Sequence, residues 1–507
     1  MTDERLSLSG WFARAVARNP DGTALVAPGG SRTFRELDAV AGALAATIRT
    51  RLGRRPARIA VFGERTAGTF EAYLAALYTG ATVVPLSPEM PVERNIAIAS
   101  GAGIDVLLYA TTERATNAIE VGEAALGLPG VLVFDTATEP SDGYLREQGL
   151  ASTDVAYLVF TSGSSGRPKG VPISHGNIDA YLRAVADRFR PSPGDVFSQI
   201  HELTFDYSVF EMWVAWSGAA CVSSAPRVQA LNTARMVNDR GITFLSATPS
   251  MIEGVLSRER VTAGSMPGLR YAVCSGEPLR ELTVRAWSAA APNAVVDNLY
   301  GPTELTVTCT GYRWRPGVRG VEDMVPIGVM HPTMDHILLD PSGELSERDG
   351  QLCVRGPQMF AGYLDPRDDA GRFVEIDGHR WYCTGDRIRI GDDGLMYHRG
   401  RIDAQVKVRG YRVELSEVEA AVRGLVAGSV MAVDVTDGAD TSLVVFVATP
   451  AELDVPGLLA SLAGTLPPYM VPARVFTVPE LPTNKHDKAD RGELRRRAED
   501  LLGAARR

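Results

Sequence analysis

Between Arg58 and Thr161 the sequence keeps returning to one unit, a short run of Val, Ile and Leu followed by a stretch with apolar residues at helical spacing. ARIAVFG, ATVVPL, IDVLLYA, GVLVFD and VAYLVFT are the runs, and AGTFEAYLAALYTG is one of the helix-like stretches. Strands that are apolar throughout, instead of alternating, are buried on both faces, so this rhythm predicts an α/β fold of parallel sheets covered by helices. Upstream, Trp11 to Leu52 adds a strand, TALVAPG, and helical periodicity from Phe34 to Ile48. Downstream, GITFLSATPS, LRYAVCSGE and NAVVDNLYGPTE are strands that each run into a loop of Ser, Gly, Pro or Thr. Ligands in such sheets bind beyond the carboxyl ends of strands, which places the site where these loops meet.

From Gly343 onward short strands and tight turns take over, including GDDGLMYHRGR, and predict a smaller β-rich unit ending near Arg401 to Ala404. Past it, Ser416 followed by Glu419 reads as a capping box that opens a helix. A strand, SLVVFVATP, and a basic tail, RGELRRRAEDLLGAARR, read as a solvated helix face, close the chain. At 507 residues the chain exceeds what one hydrophobic core supports, so more than one domain is expected. A net charge of −9 argues against a nucleic-acid partner, because phosphate binding leaves a basic footprint. The N-terminus, MTDERLSLSGWFARAVARNPDG, has neither a signal nor a membrane-spanning pattern, so the expected location is the cytoplasm, with no membrane partner. Cys221, Cys274, Cys309, Cys353 and Cys383 show no CxxC spacing and read as reduced, packed thiols.

The chemistry is concentrated in Tyr157 to Gly170, YLVFTSGSSGRPKG, where a buried strand enters a loop of Thr161, Ser162, Gly163, Ser164, Ser165, Gly166 and Lys169. Glycines let backbone N–H groups approach an anion, hydroxyls add donors and the lysine adds charge. A bare SGSSG is a flexible turn, and Pro168 breaks the spacing of a Walker loop. TSGSSGRPKG, however, resembles the phosphate loop of the ANL superfamily of adenylating enzymes, with Ser165 in place of threonine. The likeness continues in order along nearly the whole chain. It implies a large N-terminal domain of helix-covered sheets over residues 1–402, with a small β-barrel-like subdomain. A small mobile α+β domain over residues 403–507 would carry the catalytic lysine.

Further motifs take their roles from this resemblance. In YGPTE, Tyr300 would pack on adenine, Thr303 would contact phosphate and Glu304 would help hold Mg²⁺, while Asn298 and Gly301 flank them. By itself that motif is equally a capped turn. YCTGD puts Asp386 where the family binds ribose hydroxyls. GRIDAQVKVRGYRVE resembles GRxDxQVKxRGxRIE, which gives Arg401 an ATP-binding role, Asp403 the hinge and Gly410 the loop that meets the carrier arm. PTNKHDKADR stands where LTPNGKVDR is expected, and its terminal KxDR selects Lys488 as the catalytic lysine over Lys485. In a tail read alone, both would be solvated lysines.

FDYSVFEMW resembles the segment of amino-acid-activating members in which an aspartate, here Asp206, receives the substrate's ammonium group. A carboxylate among apolar residues needs a cation, although an aspartate capping a helix from Ser208 is the plain alternative. The family's pocket positions fall on Tyr207, Phe210, Ser246, Val273, Ser275, Leu299, Gly301, Val307 and Thr308. Two bulky aromatics and no deeper charge favour a small neutral side chain, that of glycine, alanine or serine. ATPSM followed by CSGE is also similar to D-alanine–carrier protein ligases, with Ser275 where those have cysteine, so chirality and a β-amino acid stay open. The chain ends soon after Lys488, so the expected acceptor is the phosphopantetheine of a separate carrier protein, with ATP and Mg²⁺ as cofactors. The rivals are an acyl- or aryl-CoA ligase of the same superfamily and a non-catalytic nucleotide- or amino-acid-binding regulator.

Overall fold

The computed structural model describes residues 5–109, 132–135, 143–163, 167–226, 232–258, 261–316, 323–403, 405–437, 440–449, 452–482 and 490–504. Its architecture is α/β, built of mixed sheets with helices packed on them. Two compact units emerge from the chain's own contacts. One comprises Met1–Pro88, Ile98–Phe160 and Gly170–Ile402; the other gathers Glu89–Ala97 and Thr161–Lys169 with Asp403–Arg507.

The first unit contains a nine-stranded sheet in the order Val329–Met330, Thr310–Arg313, Val295–Tyr300, Tyr271–Cys274, Phe244–Ala247, Val196–Gln199, Cys221–Ser224, Thr23–Ala27, Gly30–Thr33. The interior pairs are parallel and both edges turn antiparallel. A six-stranded sheet joins Leu132–Asp135, Val106–Tyr109, Arg58–Phe62, Thr82–Leu86, Val155–Thr161 and Lys169–Ser174. Four of its pairings are parallel. Thr33 caps the helix Phe34–Leu52 with a reciprocal box to Glu36. The helix Ala67–Tyr78, from the AGTFEAYLAALYTG stretch, is buried along nearly its whole length, as a helix between two covered layers must be.

The β-rich part begins at Asp335, ahead of the Gly343 onset expected from sequence. Its strands Asp335–Leu339, Leu345–Ser346, Asp349–Arg355, Phe373–Ile376, His379–Ile390 and Met396–Arg401 pair antiparallel. The GDDG turn joins the last two as a hairpin.

In the second unit a hairpin of Gln405–Val408 and Tyr411–Glu414 turns through Arg409 and Gly410, both at positive φ. That is the backbone a two-residue turn between right-twisted strands demands. A three-stranded sheet of Ser429–Asp437, Asp440–Ala448 and Arg474–Val478 carries the helix Leu415–Arg423, with Val418, Val422, Ala432 and Val445 in its core. The capping box at Ser416 does not form. The helix starts two residues earlier than that box would place it, with Glu414 at its N-cap, and the Glu419 carboxylate instead accepts from the Ala432 N–H and from Arg491. Nor is the C-terminal helix Arg491–Ala504 only a solvated face, since Leu494 and Ala498 are buried and Arg495 pairs with Asp434. No helix among the described residues is long and apolar enough to cross a membrane.

Candidate active site

Within the first unit the strand Val295–Tyr300 delivers Tyr300 at its carboxyl end, and the long strand His379–Ile390 delivers Asp386. The two meet. The Tyr300 hydroxyl donates to Asp386 Oδ2 at 2.7 Å, and Arg401 donates to Oδ1 at 2.9 Å. His398 Nε2 lies 2.9 Å from the same oxygen. The register of the strand pair jumps between Gln351↔Arg387 and Cys353↔Cys383, so Asp386 stands on a β-bulge, the device that re-aims a side chain. Thr384 braces it, donating to Leu352 O and accepting the Asp386 N–H. Burial, the Asp386 charge and the bond to it all raise the Tyr300 phenol, which stays protonated as a donor. Asn298 turns its amide to Pro326 O, 2.8 Å away.

After Tyr300 the chain makes a short 3₁₀ turn, Thr303–Leu305, that buries Glu304. Its carboxylate accepts from the Tyr363 hydroxyl. Thr306 and Val307 then adopt positive φ, 59° and 68°, a conformation that costs a β-branched residue of order 1–3 kcal/mol. Gln358, fully buried, holds them there. Its amide donates to Leu305 O and Thr308 O, and its backbone oxygen takes the Thr306 hydroxyl. A Cβ on Gly301 would lie 2.5 Å from Thr308 Cα, so only glycine lets the two arms of this loop approach.

Asp206 precedes a turn of helix, Tyr207–Val209, yet its side chain makes no cap hydrogen bond, so the helix-cap alternative fails. The residue is buried. Burial first, and then the Asp206 charge, push up the phenols of Tyr157 and Tyr181. The Tyr157 hydroxyl has no hydrogen-bond partner. Thr308 reaches the Tyr181 hydroxyl at 3.5 Å.

The segment then widens into a π-helix over Phe210–Val214, a form that recurs at functional sites. Tyr207 stacks on Phe210 at 5.6 Å and donates to Val273 O at 2.9 Å. Val273 lies opposite Ser246, whose buried hydroxyl has no partner. Ser275 follows the strand Tyr271–Cys274, and Leu299 pairs with Gly311. Phe210 also packs on Phe189, so it belongs to the core as much as to any pocket.

The second unit holds the Ser/Gly loop. Ser162 donates to Arg412 O at 2.7 Å and accepts the Glu414 N–H at 3.1 Å. The Gly163 N–H donates to the Glu417 carboxylate, whose other oxygen takes Arg94 at 2.6 Å. A Cβ on Gly163 would fall 2.1 Å from the Arg167 carbonyl, so glycine is obligatory. Lys169 is buried at the loop's end, and Asp403 Oδ1 accepts the Gln405 N–H. Ser164, Ser165, Gly166, Lys485 and Lys488 lie outside the described residues.

Tyr157, Tyr181, Gln358, Tyr363 and His398 escaped the sequence reading. Only His398 had a signal, its place just ahead of Gly400 and Arg401.

Residues 12–364 match the family described as AMP-binding enzyme. Phosphinothricin tripeptide synthetase PhsC of Streptomyces viridochromogenes is 34% identical over 96% of this chain, which spans 45% of that synthetase. The chain thus covers less than half the length of this curated relative. The crystal structure of IdnL7 matches over 98% of this chain and 99% of its own, at 34% identity and a TM-score of 0.73. The Vibrio cholerae adenylation domain AlmE, solved with glycyl-adenosine-5'-phosphate, covers 99% of both chains at 25% identity and a TM-score of 0.84.

Proposed function

Because this chain belongs to the AMP-binding enzyme family, AMP-forming ligases of the ANL type, we propose that it adenylates a small neutral amino acid and passes it to a separate carrier protein's phosphopantetheine thiol. The observation that carries the amino-acid half is Asp206, a buried carboxylate that does not cap its helix and that stands in FDYSVFEMW where amino-acid-activating relatives place the aspartate for the substrate's ammonium group. A carboxylate is the group chemically suited to receive an ammonium.

In this reading the bulge presents Asp386 to the ribose hydroxyls, oriented by Tyr300 and Arg401, while the Tyr300 ring packs on adenine. Thr303 contacts phosphate, and the loop from Thr161 to Lys169 supplies further donors. Glu304 would hold Mg²⁺ through a carboxylate oxygen, the ligand type that suits this ion, and the ion would supply positive charge to offset that of the departing pyrophosphate. Lys488 orients the attacking carboxylate and offsets charge at the α-phosphate. Tyr207, Phe210, Ser246, Val273, Ser275, Leu299, Gly301, Val307 and Thr308 bound the side-chain pocket, and the aromatic pair limits its depth. Residues 403–507 form the mobile domain, with its hinge at Asp403 and Gly410 on the loop that meets the thiol. The cytoplasm is the compartment this reading expects.

ATP–pyrophosphate exchange over a panel of L-, D- and β-amino acids, with fatty and aryl acids alongside, tests the proposal. Small neutral amino acids should drive exchange, and Asp206→Ala should lower kcat/KM for them about a hundredfold, the cost of roughly 3 kcal/mol for a lost charged contact. Exchange with acyl or aryl acids alone would instead make the chain a CoA ligase. No exchange with any acid would favour a regulator.

A further inference from the structure

Five free cysteines are buried in this chain, and two of them face each other. Cys353, on the strand Asp349–Arg355, lies directly opposite Cys383, on the antiparallel strand His379–Ile390. The Cys383 N–H bonds to Arg372 O, on the side away from Cys353, so the two cysteines form a non-hydrogen-bonded pair. Such pairs bring their Cα atoms to about 4.5 Å, within the roughly 4.4–6.8 Å that a disulfide spans. The two sulfurs are already 3.1 Å apart, with the Cys353 thiol donating to Cys383.

The pair differs chemically from the other three thiols. Burial alone pushes Cys221 up to about 12, and chiefly burial does the same for Cys274 and raises Cys309 further. Cys383 goes the other way: the hydrogen bond from Cys353 holds it below its ordinary value against burial, and the Arg372 guanidinium adds to the effect. Cys353 is raised by that donation and by burial. A cysteine held below its ordinary value beside a second thiol and a cation is the arrangement that favours oxidation. Leu339, Trp381, Ile337, Val374 and Ile376 pack around the sulfurs.

We infer that Cys353 and Cys383 form a reversible thiol–disulfide site, oxidised by a small hydroperoxide and restored by an exogenous thiol. With hydrogen peroxide as oxidant, Cys383 sulfur attacks one peroxide oxygen, the O–O bond breaks, and the expelled hydroxide takes the proton shed by the Cys383 thiol and departs as water. Cys353 sulfur then attacks the Cys383 sulfenic acid, forming the S–S bond and breaking S–O, and the expelled hydroxide takes the Cys353 proton as a second water. Two electrons leave the sulfurs and two oxygens are reduced. The bond would tie the strands at the edge of the bulge on which Asp386 stands.

The test uses the full reduced chain, treated with hydrogen peroxide, denatured, alkylated and mapped by mass spectrometry. Two of the five thiols should escape alkylation, in one peptide that links Cys353 to Cys383 and lacks two hydrogens, and dithiothreitol should restore both. In Cys353→Ser, Cys383 should accumulate as a dimedone-reactive sulfenic acid. Alkylation of all five thiols in the oxidised wild type, or a link between any other pair, would overturn the inference. So would a folded Cys353→Ser variant with no adduct at Cys383. The readout involves no adenylation and stands or falls apart from the proposed function.

Discussion

Asp386 is steadied by His398 and Arg401 from the strand Met396–Arg401 and, from the strand Val295–Tyr300, by the hydroxyl of Tyr300. Losing its hydroxyl removes one hydrogen bond of about 1 kcal/mol and leaves the ring in place. Tyr300→Phe should therefore raise KM for ATP about fivefold in the exchange assay, with kcat nearly unchanged. Two buried histidines set the acid limit. Burial lowers His331 and His175 from 6.5 to about 4, so the unfolded chain takes up protons between those values while the folded chain does not. Stability is then full above about pH 6.5 and is lost as the pH falls toward 4, by about 3 kcal/mol for each histidine. His331→Asn should flatten the decline in urea midpoint between pH 7 and 5. At this scale the motif residues Asp206, Tyr300, Glu304 and Asp386 were legible because short patterns mark them. Tyr363, which donates to Glu304, Tyr157 and Tyr181, which feel the Asp206 charge, and Gln358, which holds the turn at Thr306, were not, since no local spacing marks them.

Among the elements, strands buried on both faces announced themselves as runs of Val, Ile and Leu, and the parallel interior followed from them. Where helices begin and how they wind was less legible. Ser416 and Glu419 fit a capping box, yet Glu419 does better by meeting the backbone of Ala432 and the charge of Arg491. No pattern in FEMWV signals the π-helix, within which Glu211 accepts from the backbone N–H groups of Ile200 and His201. The Ser/Gly loop depends on a backbone contact that leaves no space for a side chain. Gly163→Ala should thus cut ATP-dependent exchange at least tenfold while circular dichroism and thermal midpoint stay near wild type, because the strain falls on the loop alone.

Over the whole molecule, contacts do not follow chain order, and Arg94 with Glu417 shows it most plainly: the pair is 323 residues apart in sequence, nearly dry, and 2.6 Å long. Removing one partner strands a buried charge, at a cost of about 3–5 kcal/mol, whereas replacing both with apolar residues is close to neutral. Arg94→Met should lower the thermal midpoint by roughly 5 °C or more, and Arg94→Met with Glu417→Leu should recover most of that loss. The mixed α/β architecture could be read from the strand and helix rhythm; the grouping of Glu89–Ala97 and Thr161–Lys169 with the C-terminal residues could not, because distant charges and backbone bonds decide it. The nine-stranded sheet ends on one side in the two residues Val329–Met330 and on the other in Gly30–Thr33, a strand of polar and half-exposed residues. So little free ladder offers a poor template to a second copy, and crowded chains have small purchase there for the edge-to-edge growth that ends in fibrils.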